Sequence, residues 1–462
     1  MHTDPQQAYI DGNHRMAAGD FAAAEACYLQ ALALQPWHAA ARANLGYLKE
    51  QQGIAAEAEF HYRQAIALMP EHAQLQQNLG ALLFKEKRLA ESEVATRAAV
   101  TLAPQSPSAL SQLGVLLVCT HREEEGEACY RRALALEPGH ARAQFNLSYL
   151  LLRQARFDEG WRMLEARWQF DHFPLSFDCP LWEGEALDGK AIVIGLEAGH
   201  GDMIHFCRYA PYLKARGAVR VDVVCHPALV RLFATLPGVD AVHALGTALP
   251  GGWDYWTRPM RLPGMFGTTL DSIPADVPYL HAEPVRVAYW REALPQQGLR
   301  VGLAWRGNAN FENDADRSLP SLMTLAPLAA VPAHFISLQK GAGEDEALLP
   351  PAGMVLYPIA SQLADFAETA AVIANLDLVI SVDTAVAHLA GAMGKPCWLL
   401  LPDYRCDWRW MKERDDTPWY PGMRLFRQPR DGGWKPVIEQ VAAALLSLGS
   451  SAAPDPQAAA GR

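Results

Sequence analysis

Cysteine is scarce, with eight in 462 residues and no C-x-x-C pair among them. Such spacing offers neither a disulfide framework nor a zinc knuckle, and it fits reduced thiols in the cytosol. Positive charge is also short: 40 Lys and Arg stand against 51 Asp and Glu, a formal net charge of −11. That balance argues against nonspecific attraction to nucleic acid or to anionic lipid. No run approaches the roughly 20 apolar residues that cross a bilayer, so no membrane span is expected. The opening MHTDPQQAYIDGNHR has no apolar signal-peptide core, and a cytoplasmic location is the expectation. Half of the residues are hydrophobic, enough for buried cores in the two to four domains that this length suggests.

What is present first is a period. Pro36, Pro70, Pro104 and Pro138 stand 34 residues apart. Each closes a pattern G-x-φ-x-x-A-x-x-x-Y-x-x-A-φ-x-x-x-P, clearest in Gly19–Pro36 and Gly53–Pro70. Small residues (Ala24, Ala58, Ser92, Gly126) recur where two helices must touch, and Tyr28, Tyr62, Thr96 and Tyr130 follow four positions later. Period and residue types resemble the tetratricopeptide repeat, a helical hairpin that buries its apolar face only against its neighbours. Such an array presents a concave surface to a partner. In the fifth unit Trp161, Arg167 and Trp168 replace small residues, which suggests docking onto the next domain. The expected solenoid is 1–170, with an irregular linker at 171–190.

Beyond the linker, short apolar runs alternate with helical stretches. AIVIGL (191–196), a helix from about Asp202 to Ala215, VRVDVVC (219–225) and a helix near Pro227–Thr235 form one series. LRVGLAW (299–305), HFISLQ (334–339), LDLVIS (376–381) and PCWLLL (396–401), with helices near 319–328, 364–374 and 384–393, form another. This alternation signals parallel sheets covered on both faces by helices. The expectation is two doubly wound, Rossmann-like domains, 191–295 and 296–448, on either side of a cleft, with a disordered tail at 449–462. In such sheets ligands bind beyond the carboxyl ends of the strands.

The loops at those ends carry the candidate chemistry. In EAGHGDMIHFCRY (197–209), Gly199 and Gly201 permit a sharp turn and close approach. Asp202 falls in the first turn of the next helix, where it either caps that helix or serves as a general base. His200 and His205 are secondary candidates. In SVDTAVAHLAGAMGKP (381–396), a strand runs into a helix N-terminus, a ready site for phosphate. The amides at Thr384, Ala385 and Val386 suit a diphosphate, Asp383 suits sugar hydroxyls, and His388 lies one turn on; the plain alternative is a capped helix with His388 packed in a seam. In WRGNANFENDADRSLP (305–320), Arg306 and Arg317 suit a phosphate, as does Lys340 after the next strand. No bound metal is expected there. Finally, DYRCDWRWMKERDDTPWYPGMRLFRQ (403–428) interleaves Trp408, Trp410 and Trp419 with five arginines. These either stack on a base or sugar or fasten the loop to the sheet, and fastening is the reading preferred for most of them.

Taken in order, VDTAVAHLAGAMGKPCWLLLP, DWRW, PWYPGMRLFRQ and DRSLP are similar to bacterial tetratricopeptide-repeat proteins with a GT-B glycosyltransferase domain. The similarity extends in outline to heptosyltransferases and, more distantly, to O-linked N-acetylglucosamine transferases. It covers the chain to about residue 448. The resemblance implies that Asp202 is the acceptor-activating base and that Asp383, Thr384 and His388 belong to a donor-phosphate loop, with Arg317 near a position held by a basic residue. The first loop departs from the family's E-Q-G-x-G-D-x-x-Q-F, carrying Ala198 and His205 at the two Gln positions. The implied activity is metal-independent sugar transfer from a nucleotide-diphosphate donor to an acceptor hydroxyl on a protein or surface glycan, without a cofactor. The repeats would then hold a protein or peptide. The alternative is a repeat scaffold whose GT-B unit is catalytically silent.

Overall fold

The computed structural model describes residues 4–170, 175–430 and 432–451, with side chains through 448. Two units divide the chain between Leu150 and Leu151.

The first unit is built of helices α1 (Pro5–Ala17), α2 (Phe21–Leu34), α3 (Ala39–Gln51), α4 (Ala55–Leu68), α5 (Ala73–Lys85), α6 (Leu89–Leu102), α7 (Pro107–Cys119), α8 (Glu123–Leu136) and most of α9 (Ala141–Arg153). The 34-residue period is visible as packing. Tyr28, Tyr62 and Tyr130 lie fully buried against Gly12, Gly46 and Gly114. A methyl group on Gly114 would stand 2.5 Å from the Tyr130 ring, so glycine is required there for close approach. The turn between the two helices of a hairpin needs a left-handed residue. Gly19 and Gly53 supply it at φ 74° and 75°, whereas Lys87 and His121 adopt φ 59° and 62° at the same repeat positions. The hairpin thus persists after the second repeat although the glycine of the pattern does not. A ladder of ion pairs repeats along the array. Glu59 takes Arg63 and Arg88, and Glu93 takes Arg97 and Arg122. The paired guanidiniums hold the Glu93 carboxyl down at about 2.

The second unit begins in α9 and continues with α10 (Phe157–Leu164), so the fifth hairpin straddles the division. Trp161 is buried, its indole N–H donates to Thr268 O at 2.9 Å, and its ring meets Trp408 edge-on at 5.3 Å. Its bulk fastens α10 to the α/β region, as the aromatic substitutions suggest. Of the expected linker, 171–174 lie outside the described residues; Leu181 bridges to Trp256.

Two all-parallel sheets follow. The first, in the order β3-β2-β1-β4, comprises β1 (Ala191–Ile194), β2 (Arg220–Cys225), β3 (Ala241–Ala244) and β4 (Tyr255–Thr257). Its helices are α11 (His200–Phe206), α12 (Ala210–Ala215), α13 (Val230–Phe233) and α14 (Leu262–Met265). The long helix expected over 202–215 is thus two helices joined by a 3-10 turn at Cys207–Tyr209. Next, α15 (Pro284–Ala293) occupies the Pro-rich stretch, with Pro284 at its first turn where a missing N–H costs nothing.

The second sheet, in the order β10-β9-β8-β5-β6-β7, comprises β5 (Leu299–Ala304), β6 (Ala333–Ser337), β7 (Leu356–Tyr357), β8 (Leu378–Val382), β9 (Cys397–Leu401) and β10 (Met423–Arg427). Its helices are α16 (Asp314–Arg317), α17 (Phe366–Ala374), α18 (Ala385–Ala392) and α19 (Lys435–Ser451). Val301, Leu303, Phe335, Ile380, Leu400, Val437 and Ile438 pack between strands and helices as its core. The terminal helix runs three residues past the expected start of the tail; 452–462 lie outside the described residues. Two parallel, helix-covered lobes of this kind constitute the GT-B type of α/β architecture.

Candidate functional site

The two central strands, β1 and β8, each end in a loop that opens a helix, α11 and α18 respectively. These helix starts touch. A methyl group placed on Gly201 would lie 2.9 Å from the His388 ring, 3.5 Å from Ala385 Cα and 3.6 Å from its amide nitrogen. Gly201 is therefore a glycine of close approach. The left-handed residue of its loop is Ala198, at φ 58°, while Gly199 is extended at φ −87°. The expectation that both glycines make the turn is corrected on this point, since an alanine bears the strained angle.

Asp202 has two engaged oxygens. Oδ2 accepts the Gly199 N–H at 3.1 Å, the capping role. Oδ1 receives the Arg409 guanidinium at 2.5 Å. The same guanidinium donates to Asp407 at 2.9 Å and lies over Trp408 and near Phe206. Arg409 is buried, whereas Asp202 retains 27 % of its side-chain surface. One cation thus ties the loop after β1 to the aromatic-rich loop that precedes β10.

Asp383 ends the loop after β8. Trp410 donates its indole N–H to Asp383 Oδ2 at 2.9 Å and stacks on His388 with ring centres 5.3 Å apart. Burial and the nearby Asp407 carboxylate push the Asp383 carboxyl up to about 6, while Trp410, Arg317 and Arg409 act in the opposite sense. Thr384 is the N-cap of α18, and its hydroxyl meets Ser381 Oγ at 3.0 Å rather than a helix amide. The Ala385 and Val386 positions are half-buried.

Beneath this mouth, Tyr420 reaches His388 Nδ1 at 2.9 Å and His205 Nδ1 at 3.0 Å. Both imidazoles are held well below their usual range by burial, with Arg409 and Arg208 adding to it. Arg208 is buried and stacks near Tyr420 and Tyr279. Its guanidinium donates to Tyr279 and to the carbonyls of His205, Pro274 and Trp419.

The other sequence candidates disperse. Arg317 pairs with Asp314 at 3.2 Å and covers Phe311, close enough for its charge to act on Asp383. Arg306 is committed to Glu346 and to the carbonyl of Pro320. Lys340 donates to Ala360 O at 2.8 Å and pairs with Glu344. No described contact brings either of them to Asp383. His200 stacks on His226 at 4.2 Å and meets Phe366, and burial and His226 lower its imidazole to about 4. It belongs to a neighbouring aromatic cluster. The sequence offered Arg409 and Trp410 a ligand-stacking role beside the preferred fastening one, and pointed to no role for Tyr420. The available signal was that all three lie in DWRW and PWYPG, segments singled out for resemblance but read mainly as fastening.

The glycosyltransferase family 9 (heptosyltransferase) model matches residues 356–399, which run from β7 to β9 and include Asp383, Thr384 and His388. The tetratricopeptide repeat model matches 12–68 and 122–160. Protein FlbA of Caulobacter vibrioides is 28% identical over 327 residues, covering 64% of this chain and 54% of that protein. The chain therefore spans about half the length of this curated relative. Among solved structures, pilF of Pseudomonas aeruginosa is 19% identical, covers 36% of this chain and 77% of its own, and superposes with a TM-score of 0.34. MamA from Desulfovibrio magneticus RS-1 is 17% identical, covers 36% and 97%, and has a TM-score of 0.33. No helix among the described residues is long and apolar enough to cross a membrane. This chain thus resembles tetratricopeptide repeats over 12–68 and 122–160 and, within its C-terminal α/β region, glycosyltransferase family 9 over 356–399.

Proposed function

We propose that the α/β region transfers a sugar from a nucleotide-diphosphate donor to an acceptor hydroxyl, without a metal ion, and that the repeats recruit a protein or peptide. The observation that carries this reading is the meeting of α11 and α18 around one polar cluster, with Arg409 joining Asp202 to Asp407 beside Asp383. A diphosphate suits the Ala385 and Val386 amides at the start of α18, where the helix dipole favours negative charge. Arg317 and Arg409 supply cationic charge for a departing diphosphate. Asp202 Oδ2 accepts a single N–H in the structure and keeps a lone pair for an acceptor proton.

Incubation of the purified protein with a panel of nucleotide sugars tests this reading. The expected result is release of one nucleoside diphosphate, from slow donor hydrolysis or from transfer to added protein, and loss of that release in Asp202→Asn. Failure of every donor to turn over or to stabilise the fold would refute it. The second reading, a scaffold with a silent α/β region, draws on the full engagement of Asp202 Oδ1 by Arg409. It predicts that cells tolerate Asp202→Asn and His388→Ala.

A further inference from the structure

Three side chains share one hydroxyl proton beneath the candidate site. Tyr420 Oη stands 2.9 Å from His388 Nδ1 and 3.0 Å from His205 Nδ1, and all three side chains are buried. A phenol has a single proton, so it can donate to only one of the two nitrogens. The other nitrogen must meet the phenol oxygen as an N–H. Two neutral imidazoles flanked by guanidinium groups therefore adopt opposite tautomers. Two observations decide which is which. His388 Nε2 lies 3.9 Å from Asp383 Oδ1, and a carboxylate favours an N–H edge over a lone pair. His205 Nε2 is buried and has no partner among the described residues, and an orphaned N–H is the rarer arrangement.

We infer that Tyr420 is a positioning residue that locks His388 in the neutral tautomer with its proton on Nε2, facing Asp383 at the mouth of α18. The chain of donors runs one way: His205 Nδ1–H to the Tyr420 oxygen, Tyr420 O–H to His388 Nδ1, and His388 Nε2–H toward Asp383. Tyr420 is itself held by α18, since a methyl group on Gly391 would lie 2.5 Å from its ring. The competing arrangement has Tyr420 donating to Tyr279 with both histidines as Nδ1–H donors. The contacts of the two hydroxyls weigh against it: the Tyr420 oxygen stands at hydrogen-bond distance from both histidine Nδ1 atoms, whereas Tyr279 accepts Arg208 and donates to Ile204 O. In the transferase reading, on which the catalytic consequence alone rests, His388 offers an oriented neutral donor to an oxygen of the ligand rather than a positive charge.

Nitrogen-15 NMR of the histidine side chains in the full chain at pH 8, with His388 and His205 assigned by single substitution, reads the tautomers directly. The expected spectrum shows His388 protonated on Nε2 and His205 on Nδ1. In Tyr420→Phe the His388 signals should move toward a mixture of tautomers. In His205→Gln, whose amide N–H can replace the lost donor, they should stay. An imidazolium or an Nδ1–H tautomer at His388 in the unsubstituted protein overturns the inference, even if Tyr420→Phe does not fold. So does a Tyr420→Phe spectrum identical to wild type. With an active donor in hand, Tyr420→Phe should lower turnover by about fivefold to tenfold, the effect of one neutral hydrogen bond. The expected tautomers in a protein that turns over no donor would preserve the inference and discard the transferase reading.

Discussion

Removal of Arg409 should be felt in both loops that it joins, the one after β1 and the one before β10. Arg409 is 5 % exposed, bonds Asp202 at 2.5 Å and Asp407 at 2.9 Å, and lowers the proton affinity of Asp383. Arg409→Met keeps much of the apolar contact with Trp408 and Phe206 but leaves three carboxylates without their common cation. Deleting one partner of a buried pair costs about 3–5 kcal/mol. Asp202 and Asp407 are 27 % and 23 % exposed, so water recovers part of that loss. The expected cost is about 2–3 kcal/mol, or a fall of about 4–6 °C in the thermal midpoint for a unit of this size. Arg409→Lys restores charge without the two-pronged geometry and should recover about half of the loss. Thermal unfolding of the single variants and of Arg409→Met/Asp202→Asn completes a cycle with an expected coupling of about 1–2 kcal/mol. Additive effects, or an Arg409→Met midpoint within about 1 °C of wild type, would show that the guanidinium does not join the two loops.

Asp383 should leave its mark on the pH dependence of stability. Its carboxyl is raised to about 6 from 3.8, so the folded state holds its proton longer than the unfolded chain does. Wild-type stability from this group is greatest below 3.8 and is lost as pH rises through 6. Asp383→Asn removes that slope, so the midpoint of the variant minus that of wild type should climb between pH 4 and pH 6.5 and then level off; a flat or falling difference contradicts the assignment. In the repeats, Gly114→Ala drives a methyl to 2.5 Å from the Tyr130 ring and should destabilise by at least about 1 kcal/mol. Gly139→Ala meets nothing within 4 Å and should stay within about 0.5 kcal/mol. Equal midpoints for these two variants would refute the packing account.

The repeats were legible because the first four units repeat a similar small-against-large contact, and proline follows the second helix of each of those hairpins on schedule. The central strands were legible as short, mainly apolar runs. β3, β4 and β7 were not: they are two to four residues long and mostly half-buried, so little hydrophobic pattern marks them. β10 hid inside a segment whose arginines and tryptophans drew attention to side chains rather than backbone. Asp202, Asp383 and His388 stood out as polar groups at strand ends. Their partners did not, because Arg409 lies 207 residues from Asp202 and Tyr420 lies 215 from His205. Spacing along the chain carries no trace of such pairs. The arginines offered as phosphate ligands show the converse failure. Residue type suggested a role for Arg306, but the carboxylate that occupies it, Glu346, sits in a later loop.

The proposed transfer requires one crevice to hold a diphosphate at α18 while Asp202 supplies the proton acceptor from α11. The most direct test titrates a nucleoside diphosphate into wild type and Asp202→Asn and compares turnover of the matching nucleotide sugar in the same samples. The affinities should lie within about threefold of each other while turnover falls by about 10²- to 10⁴-fold, the range for removal of a general base. An Asp202→Asn protein that turns over donor at the wild-type rate, with the diphosphate still bound, would contradict it.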